Sequence, residues 1–229
     1  MTISEFKNKI INANCLDVLK ELPDKSIDLL FTDPPYGIGI SKHKKIGTSY
    51  KYAIKEWDND IPSKKIFDEM FRVSKNQIIF GGNYFLKNAE TLAGDGSWAI
   101  WDKRCGVIPQ RSFADGEMIW VSYKKPLRIF RYIWDGMLQH DMKNKDVRFH
   151  PTQKPLKLCQ QIISYYTGIQ APYMGEPFLV ADFFSGSGTT ALAAYNLGLD
   201  YICTELDKEY FKKSVERLNN ATAQMGLFR

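Results

Sequence analysis

Asp33-Pro34-Pro35-Tyr36 places a carboxylate and a phenol at the two ends of a stiff turn that is poor in donors. Two prolines fix φ and remove two backbone N–H groups, so the local carbonyls stay free to accept hydrogen bonds. Such a set suits a planar amino group. The lone pair of an exocyclic base nitrogen is spread into its ring, so chemistry there needs acceptors for the N–H bonds and a surface that holds the base flat. Asp33 and the Pro34 carbonyl can accept, and the Tyr36 ring can stack, a task that needs the ring and not the hydroxyl. A loop in which Asp33 caps and Tyr36 packs would use the same four residues without chemistry.

A second set lies far downstream. Phe178-Leu179-Val180-Ala181 runs into Asp182-Phe183-Phe184-Ser185-Gly186-Ser187-Gly188-Thr189-Thr190, then Ala191-Leu192-Ala193-Ala194. That is the order of strand, glycine-rich turn and helix, and Gly186 and Gly188 permit a tight turn close to a ligand. No Lys follows as in a nucleoside triphosphate loop, and the third glycine of the dinucleotide pattern is absent. Tyr201-Ile202-Cys203-Thr204 ends at Glu205, close to the roughly 20-residue offset at which an acidic side chain meets a ribose diol. The ligand implied is a nucleoside without pyrophosphate, and S-adenosylmethionine fits it.

The third set is His150-Pro151-Thr152-Gln153-Lys154-Pro155, followed by Leu156, Leu158, Ile162, Ile163 and Tyr166 at helical spacing. Pro155 suits the first turn of that helix; on physics alone the hexapeptide is a loop and a helix start.

Together the three sets resemble the β-type DNA amino-methyltransferases, which act on N6 of adenine or N4 of cytosine. In them the catalytic motif comes first, the target-recognition region follows and the cofactor loop comes last, as here. The resemblance implies a catalytic role for Asp33, Pro34, Pro35 and Tyr36. It also implies an S-adenosylmethionine site of Asn14, Cys15, Asp33, Thr152, Lys154, Asp182, Phe184, Ser185, Gly186, Ser187, Gly188, Thr189 and Glu205. The segment Ile10 to Pro23 is similar to the family's N-terminal stretch, in which a Gly-Asp pair contacts the cofactor adenine. Ala13-Asn14 stands there instead, and Asn14 fits either that contact, as an uncharged acceptor, or a turn.

The elements that must position these residues follow from periodicity. Strands are expected near 9–13, 27–32, 77–81, 97–101, 117–123, 178–182 and 200–204, with helices over Leu16 to Leu22, Ser63 to Val73, Pro155 to Tyr166, Thr189 to Asn196 and Lys208 to Ala223. The alternation gives an α/β fold with a mostly parallel seven-stranded sheet, covered on both faces. By resemblance this is the Rossmann-like methyltransferase sheet, cyclically permuted and filling 1–229 as one domain.

Two stretches are candidates for DNA. In 37–60, Lys42, Lys44, Lys45, Lys51 and Lys55 outnumber Glu56, Asp58 and Asp60. In 123–148, Lys124, Lys125, Arg128, Arg131, Lys143, Lys145 and Arg148 interleave with Tyr123, Phe130, Tyr132 and Trp134. Basic groups neutralise phosphates, and Phe130 and Trp134 could support a displaced base. Either stretch could also be a solvated loop. Asn83 and Trp101-Asp102-Lys103 are weaker candidates for the target side; Trp98 and Trp101 fit a core equally well.

Composition sets the bounds. The chain has 229 residues, 44% hydrophobic and 25% charged, enough for one sizeable α/β core. A net charge of +5 permits a polyanionic partner without requiring one. Cys15, Cys105, Cys159 and Cys203 form no CxxC pair, so neither a zinc site nor a disulfide framework is indicated, and reduced, buried thiols in a cytoplasmic protein are expected. None follows a Pro, unlike the nucleophile of cytosine C5 enzymes. No stretch has the length and apolarity of a signal peptide or membrane span.

The expectation is a site-specific, S-adenosylmethionine-dependent methyltransferase forming N6-methyladenine in double-stranded DNA, bacterial or phage-encoded, with no metal. N4-cytosine methylation and a silent nucleic-acid-binding fold are the alternatives. With no large recognition domain, a short recognition sequence or a homodimer would complete the grip on DNA.

Overall fold

The computed structural model describes residues 3–39, 60–94, 96–107, 114–135, 137–170 and 175–226. The helices are α1 (Ile3–Phe6), α2 (Cys15–Glu21), α3 (Lys64–Val73), α4 (Leu156–Thr167), α5 (Thr189–Leu197) and α6 (Lys208–Gly226). The strands are β1 (Lys9–Ile11), β2 (Ile27–Thr32), β3 (Ser74–Phe80), β4 (Ser97–Asp102), β5 (Gly116–Val121), β6 (Arg128–Arg131), β7 (Trp134–Asp135), β8 (Leu138–Gln139), β9 (Leu179–Asp182) and β10 (Asp200–Thr204).

Among the described residues the main sheet has eight strands, in the order β1-β10-β9-β2-β3-β5-β4-β6, and β7 and β8 form a separate hairpin. The sequence reading expected seven. The additional strand, β6, lies inside the stretch read as a DNA-contacting insertion. Its pattern is almost wholly exposed, so it lacks the apolar alternation that marks a buried strand. β5 is antiparallel to both neighbours, β3 and β4, and every other pairing in the main sheet is parallel.

Burial on both faces explains the nearly unbroken apolar run of the central strands. Leu29 and Phe31 of β2 join one core with Ile78, Val180, Ile162 and Leu192, under α4 and α5. Leu30, of opposite parity, joins a second core with Ile79, Ala181, Leu19 and Phe67, under α2 and α3, and Ile27 at the start of the strand enters that core as well. β9 and β2 are neighbours, and α5, which follows β9, packs on the face opposite α3, the first described helix after β2. Their loops therefore diverge and open a crevice at the carboxyl edge of the sheet, the place where such folds bind ligands.

Strand ends were shifted where local chemistry intervenes. The first strand stops at Ile11 because Asn12 turns its amide onto the carbonyls of Glu205 and Leu206, and Asn14 caps α2. β3 stops at Phe80 because Gly81 adopts φ +64°.

Candidate active site

Asp33 leaves β2 at the crevice. Its Oδ1 accepts from the Tyr36 hydroxyl at 2.6 Å and its Oδ2 from the Lys154 ammonium at 2.6 Å. Burial raises the Asp33 pKa, the Lys154 charge pulls it down and Glu117 pushes it up. Tyr36 lies flat on Tyr84, centroids 4.8 Å apart and planes 12° apart. Gly81 lies beneath the same ring, where a Cβ would come within 2.3 Å of Tyr36 Cε1, so no other residue fits there. Burial and the Asp33 carboxylate push the Tyr36 phenol well above its ordinary pKa, so it remains a donor.

Lys154 joins this motif to a residue that sequence reasoning missed. Its Nζ lies 3.1 Å from Glu117 Oε2, and Glu117 Oε1 accepts from Lys103. Burial would lower the Lys154 pKa, but the two carboxylates outweigh it and raise the pKa. Burial opposes Glu117 ionisation, yet the Lys154 and Lys103 charges bring its pKa down to about 2. The signal for Glu117 was present: it shares strand parity with the buried Ile119 and Val121, an acid on a core-facing register.

The other wall is the glycine turn after β9. A cavity of about 280 Å³ is lined by Asn14, Cys15, Asp33, Thr152, Lys154, Asp182, Phe184, Ser185, Gly186, Ser187, Thr189 and Glu205, together with Pro35 and His150. Gly186 has φ +51°, and a Cβ on it would come within 3.4 Å of the His150 ring. Glu205 accepts from Gly186 N and Asp207 N, both at 2.8 Å, and each oxygen keeps a lone pair for a diol. Burial raises its pKa. Arg217 of α6, also unanticipated, donates to Ser187 O at 3.1 Å and Thr189 Oγ1 at 2.8 Å and so holds the turn from behind; among Lys208, Lys212 and Lys213 of the same amphipathic helix it gave no cue.

Several expected roles change. Asn14 Oδ1 accepts from Leu16 N, so the capping alternative describes its side chain, at the cavity wall. Thr152 touches His150 Nδ1 through its hydroxyl, and Lys154 is spent on the two carboxylates. Asp182 Oδ1 accepts from Thr32 and Phe184 N and its Oδ2 from Thr190, so it ties β9 to β2 and α5 at the cavity wall. Gly188 is absent from the cavity wall; it caps α5 with φ +72°, where a Cβ would meet Ser214 Cβ at 3.0 Å.

Among the DNA candidates, Trp134 is a core residue. It is 6% exposed within the core and its indole N–H donates to Gln153 O at 3.0 Å, so it cannot reach a base. Lys124, Lys125 and Arg128 sit toward the edge of the sheet opposite the crevice. β6 runs parallel to β4, whose Asp102 end lies at the crevice edge, so Arg131 is at that edge and Arg128 is roughly 10 Å below it at 3.3 Å per residue. Lys125 donates to Tyr165 O and Tyr166 O at the far end of α4, roughly 18 Å along a helix that begins beside Lys154. Phe130 packs on Tyr165 and Tyr166. Arg131 remains exposed, 3.6 Å from Asp102. Lys42, Lys44 and Lys45 lie outside the described residues. Trp101 is core, and Asn83 is exposed beside Tyr84.

A family model described as N6_N4_Mtase, DNA methylase, matches residues 114–216. The chain is 27% identical to the type II methyltransferase M.HinfI of Haemophilus influenzae, over 94% of this chain and 69% of that one. It is 26% identical to the DNA adenine methyltransferase YhdJ of Escherichia coli, over 93% and 83% respectively. The crystal structure of an M1.HpyAVI–SAM complex superposes with a TM-score of 0.55, at 26% identity, covering 92% of this chain and 99% of that one. The chain is similar to the DNA amino-methyltransferases. The family model spans Glu117, Lys154, the glycine turn and Glu205, while Asn14, Cys15 and the Asp33 to Tyr36 motif lie before the matched region. Among the described residues no helix is long and apolar enough to cross a membrane, and no cluster of His, Cys, Asp and Glu could hold a metal ion.

Proposed function

We propose that this protein is a DNA methyltransferase that uses S-adenosylmethionine to methylate N6 of adenine in double-stranded DNA, as one catalytic domain that carries its own DNA-contacting segments. One observation carries the reading: a single crevice has a carboxyl acceptor paired with the Lys154 ammonium at one end, Asp33, and a glycine turn with the Glu205 carboxyl group at the other. Glu205 suits the ribose hydroxyls, and the space that a Cβ on Gly186 would fill suits close passage of the nucleoside.

S-adenosylmethionine, when bound, supplies a methyl group on a positively charged sulfur. Asp33 still has lone pairs free beside Tyr36 and Lys154 and accepts from the target amino group, which frees the nitrogen lone pair to attack. The Tyr36 ring, backed by Tyr84, holds the base flat. The proton lost by nitrogen has the Asp33 carboxylate as its nearby acceptor. Positioning of this kind is worth about 7 to 11 kcal/mol in favourable cases.

Asp33 is only 20% exposed, so a base within a duplex must leave the stack to reach it. Arg131, exposed at the crevice edge, and Lys143 and Lys145, exposed in the stretch that leads to His150, are the described candidates for phosphate contacts. Adenine is favoured by the Asp that opens the motif and by the likeness to a relative named for adenine. Incubation with duplex DNA and labelled cofactor, followed by digestion to nucleosides, tests the reading: N6-methyldeoxyadenosine is expected. N4-methyldeoxycytidine would move the assignment to cytosine, and no labelled nucleoside would overturn it.

A further inference from the structure

β5 begins at the carboxyl edge of the sheet because it runs against its neighbours, and this brings Glu117 to the crevice. Glu117 is 17% exposed, 3.1 Å from the Lys154 ammonium and 3.5 Å from the Tyr36 hydroxyl. One ammonium is thus shared between the motif carboxylate and a second carboxylate on another strand. We propose that Glu117 is a positioning residue for methyl transfer: it anchors Lys154, and through Lys154 it fixes the orientation of Asp33. The inference rests on the amino-methyltransferase reading.

Geometry supports the chain of action. A lysine carries its charge on a flexible four-carbon stem with three rotatable donors, so one acceptor does not fix its head. Glu117 supplies a second acceptor, and Lys103 in turn holds Glu117 from the side of β4. Lys154 is further confined over Phe80 and Tyr36, 5.1 and 5.7 Å from the ring centroids. Charge supports it as well. Asp33, Glu117, Lys154 and Lys103 sum to zero, whereas the same group without Glu117 carries a net positive charge next to an amine that becomes positive during transfer. The groups that face Asp33 are Tyr36 on its own loop, Lys154 before α4, Glu117 on β5, Asp182 on β9 and Cys159 on α4.

The test compares the parent protein with Glu117→Gln, Lys154→Met and the double variant, using single-turnover methylation of duplex DNA across pH, calorimetric titration of S-adenosylmethionine and melting curves. Each single variant is expected to slow transfer about 10- to 100-fold, the scale of a lost charge-assisted contact, with cofactor affinity within about threefold of the parent. If Glu117 acts through Lys154, the double variant is no slower than Lys154→Met. The acid limb of the rate profile moves to higher pH in Lys154→Met, which loses a cation beside Asp33, and to lower pH in Glu117→Gln, which loses an anion. Glu117→Asp, which keeps the charge, recovers part of the loss. Multiplying losses in the double variant, or a Glu117→Gln enzyme that differs only in melting temperature, overturns the proposal. A parent protein that methylates no DNA brings down the functional reading instead.

Discussion

Tyr36 donates its hydroxyl hydrogen to Asp33 Oδ1 across 2.6 Å, so two residues of one tetrapeptide are bonded to each other at the crevice. Sequence reasoning gave the ring a task and the hydroxyl none. With the bond present, Tyr36→Phe keeps the surface stacked on Tyr84 but removes a donor from a buried carboxylate. Hydrogen bonds to charged groups contribute about 1.5 to 3 kcal/mol, so Tyr36→Phe is expected to lose roughly tenfold or more in turnover and Tyr36→Ala considerably more. Steady-state kinetics on duplex substrate decide it: a Phe variant as fast as the parent would show that Asp33 needs only Lys154.

Asp33→Ala removes the acceptor and leaves Lys154 with Glu117 alone. Methyl transfer should fall to background while S-adenosylmethionine still binds, because the Glu205 end of the cavity is intact. Calorimetry paired with a methylation assay separates the two effects, and near-normal turnover would sink the catalytic assignment.

Glu205→Ala and Gly186→Val act at that other end. The first removes a carboxylate that also orders Gly186 N and Asp207 N; the second puts a branched side chain at φ +51°, against His150. Each should raise the cofactor dissociation constant about tenfold or more. Unchanged binding in both would place the nucleoside elsewhere.

Burial raises the Asp182 pKa to about 6 against hydrogen bonds from Thr190, Thr32 and Phe184 that lower it. A carboxyl raised on folding contributes stability that is complete below its unfolded value, near 4, and lost as pH rises through 6. Roughly two units correspond to about 3 kcal/mol. The parent should therefore lose about that much relative to Asp182→Asn between pH 4 and pH 7.5. Denaturant titrations at the two values read it, and parallel stability curves for the two proteins would refute the shift.

Replacing Lys124, Lys125 and Arg128 with Ala should leave DNA affinity and its salt dependence close to those of the parent, since they face the far edge. The same change at Arg131, Lys143 and Lys145 should weaken binding on all sequences and reduce the log–log salt slope by about 2 to 3, near 0.9 per lost phosphate contact. Fluorescence anisotropy from low to moderate salt checks both sets, and the reverse pattern would restore the original assignment.

Much of this was legible because the motifs are local. Asp33 to Tyr36 and the glycine turn each follow an apolar strand, and doubly wound topology brings strand ends together. The role of Glu117 was not legible, because a partner 84 positions from Asp33 is set by the reversal of one strand, which periodicity does not report. Trp134 and Lys125 were misread for a related reason: composition marks a stretch as basic and aromatic but says nothing of which edge of the sheet it occupies. β6 itself, exposed on nearly every residue, resembled a loop until its pairing with β4 was seen.

The buried tie made by Asp182 bears on distance. Thr32, the residue just before Asp33, and Thr190, in the first turn of the helix behind the glycine turn, hang from opposite oxygens of the same carboxylate. Donor and acceptor walls are thereby gauged against each other by one side chain, and in-line transfer needs its reacting atoms about 3 to 3.5 Å apart. A slackened tie, as in Thr32→Val, would lengthen that gap while leaving each wall complete, so both substrates would bind as before and the methyl group would cross more slowly.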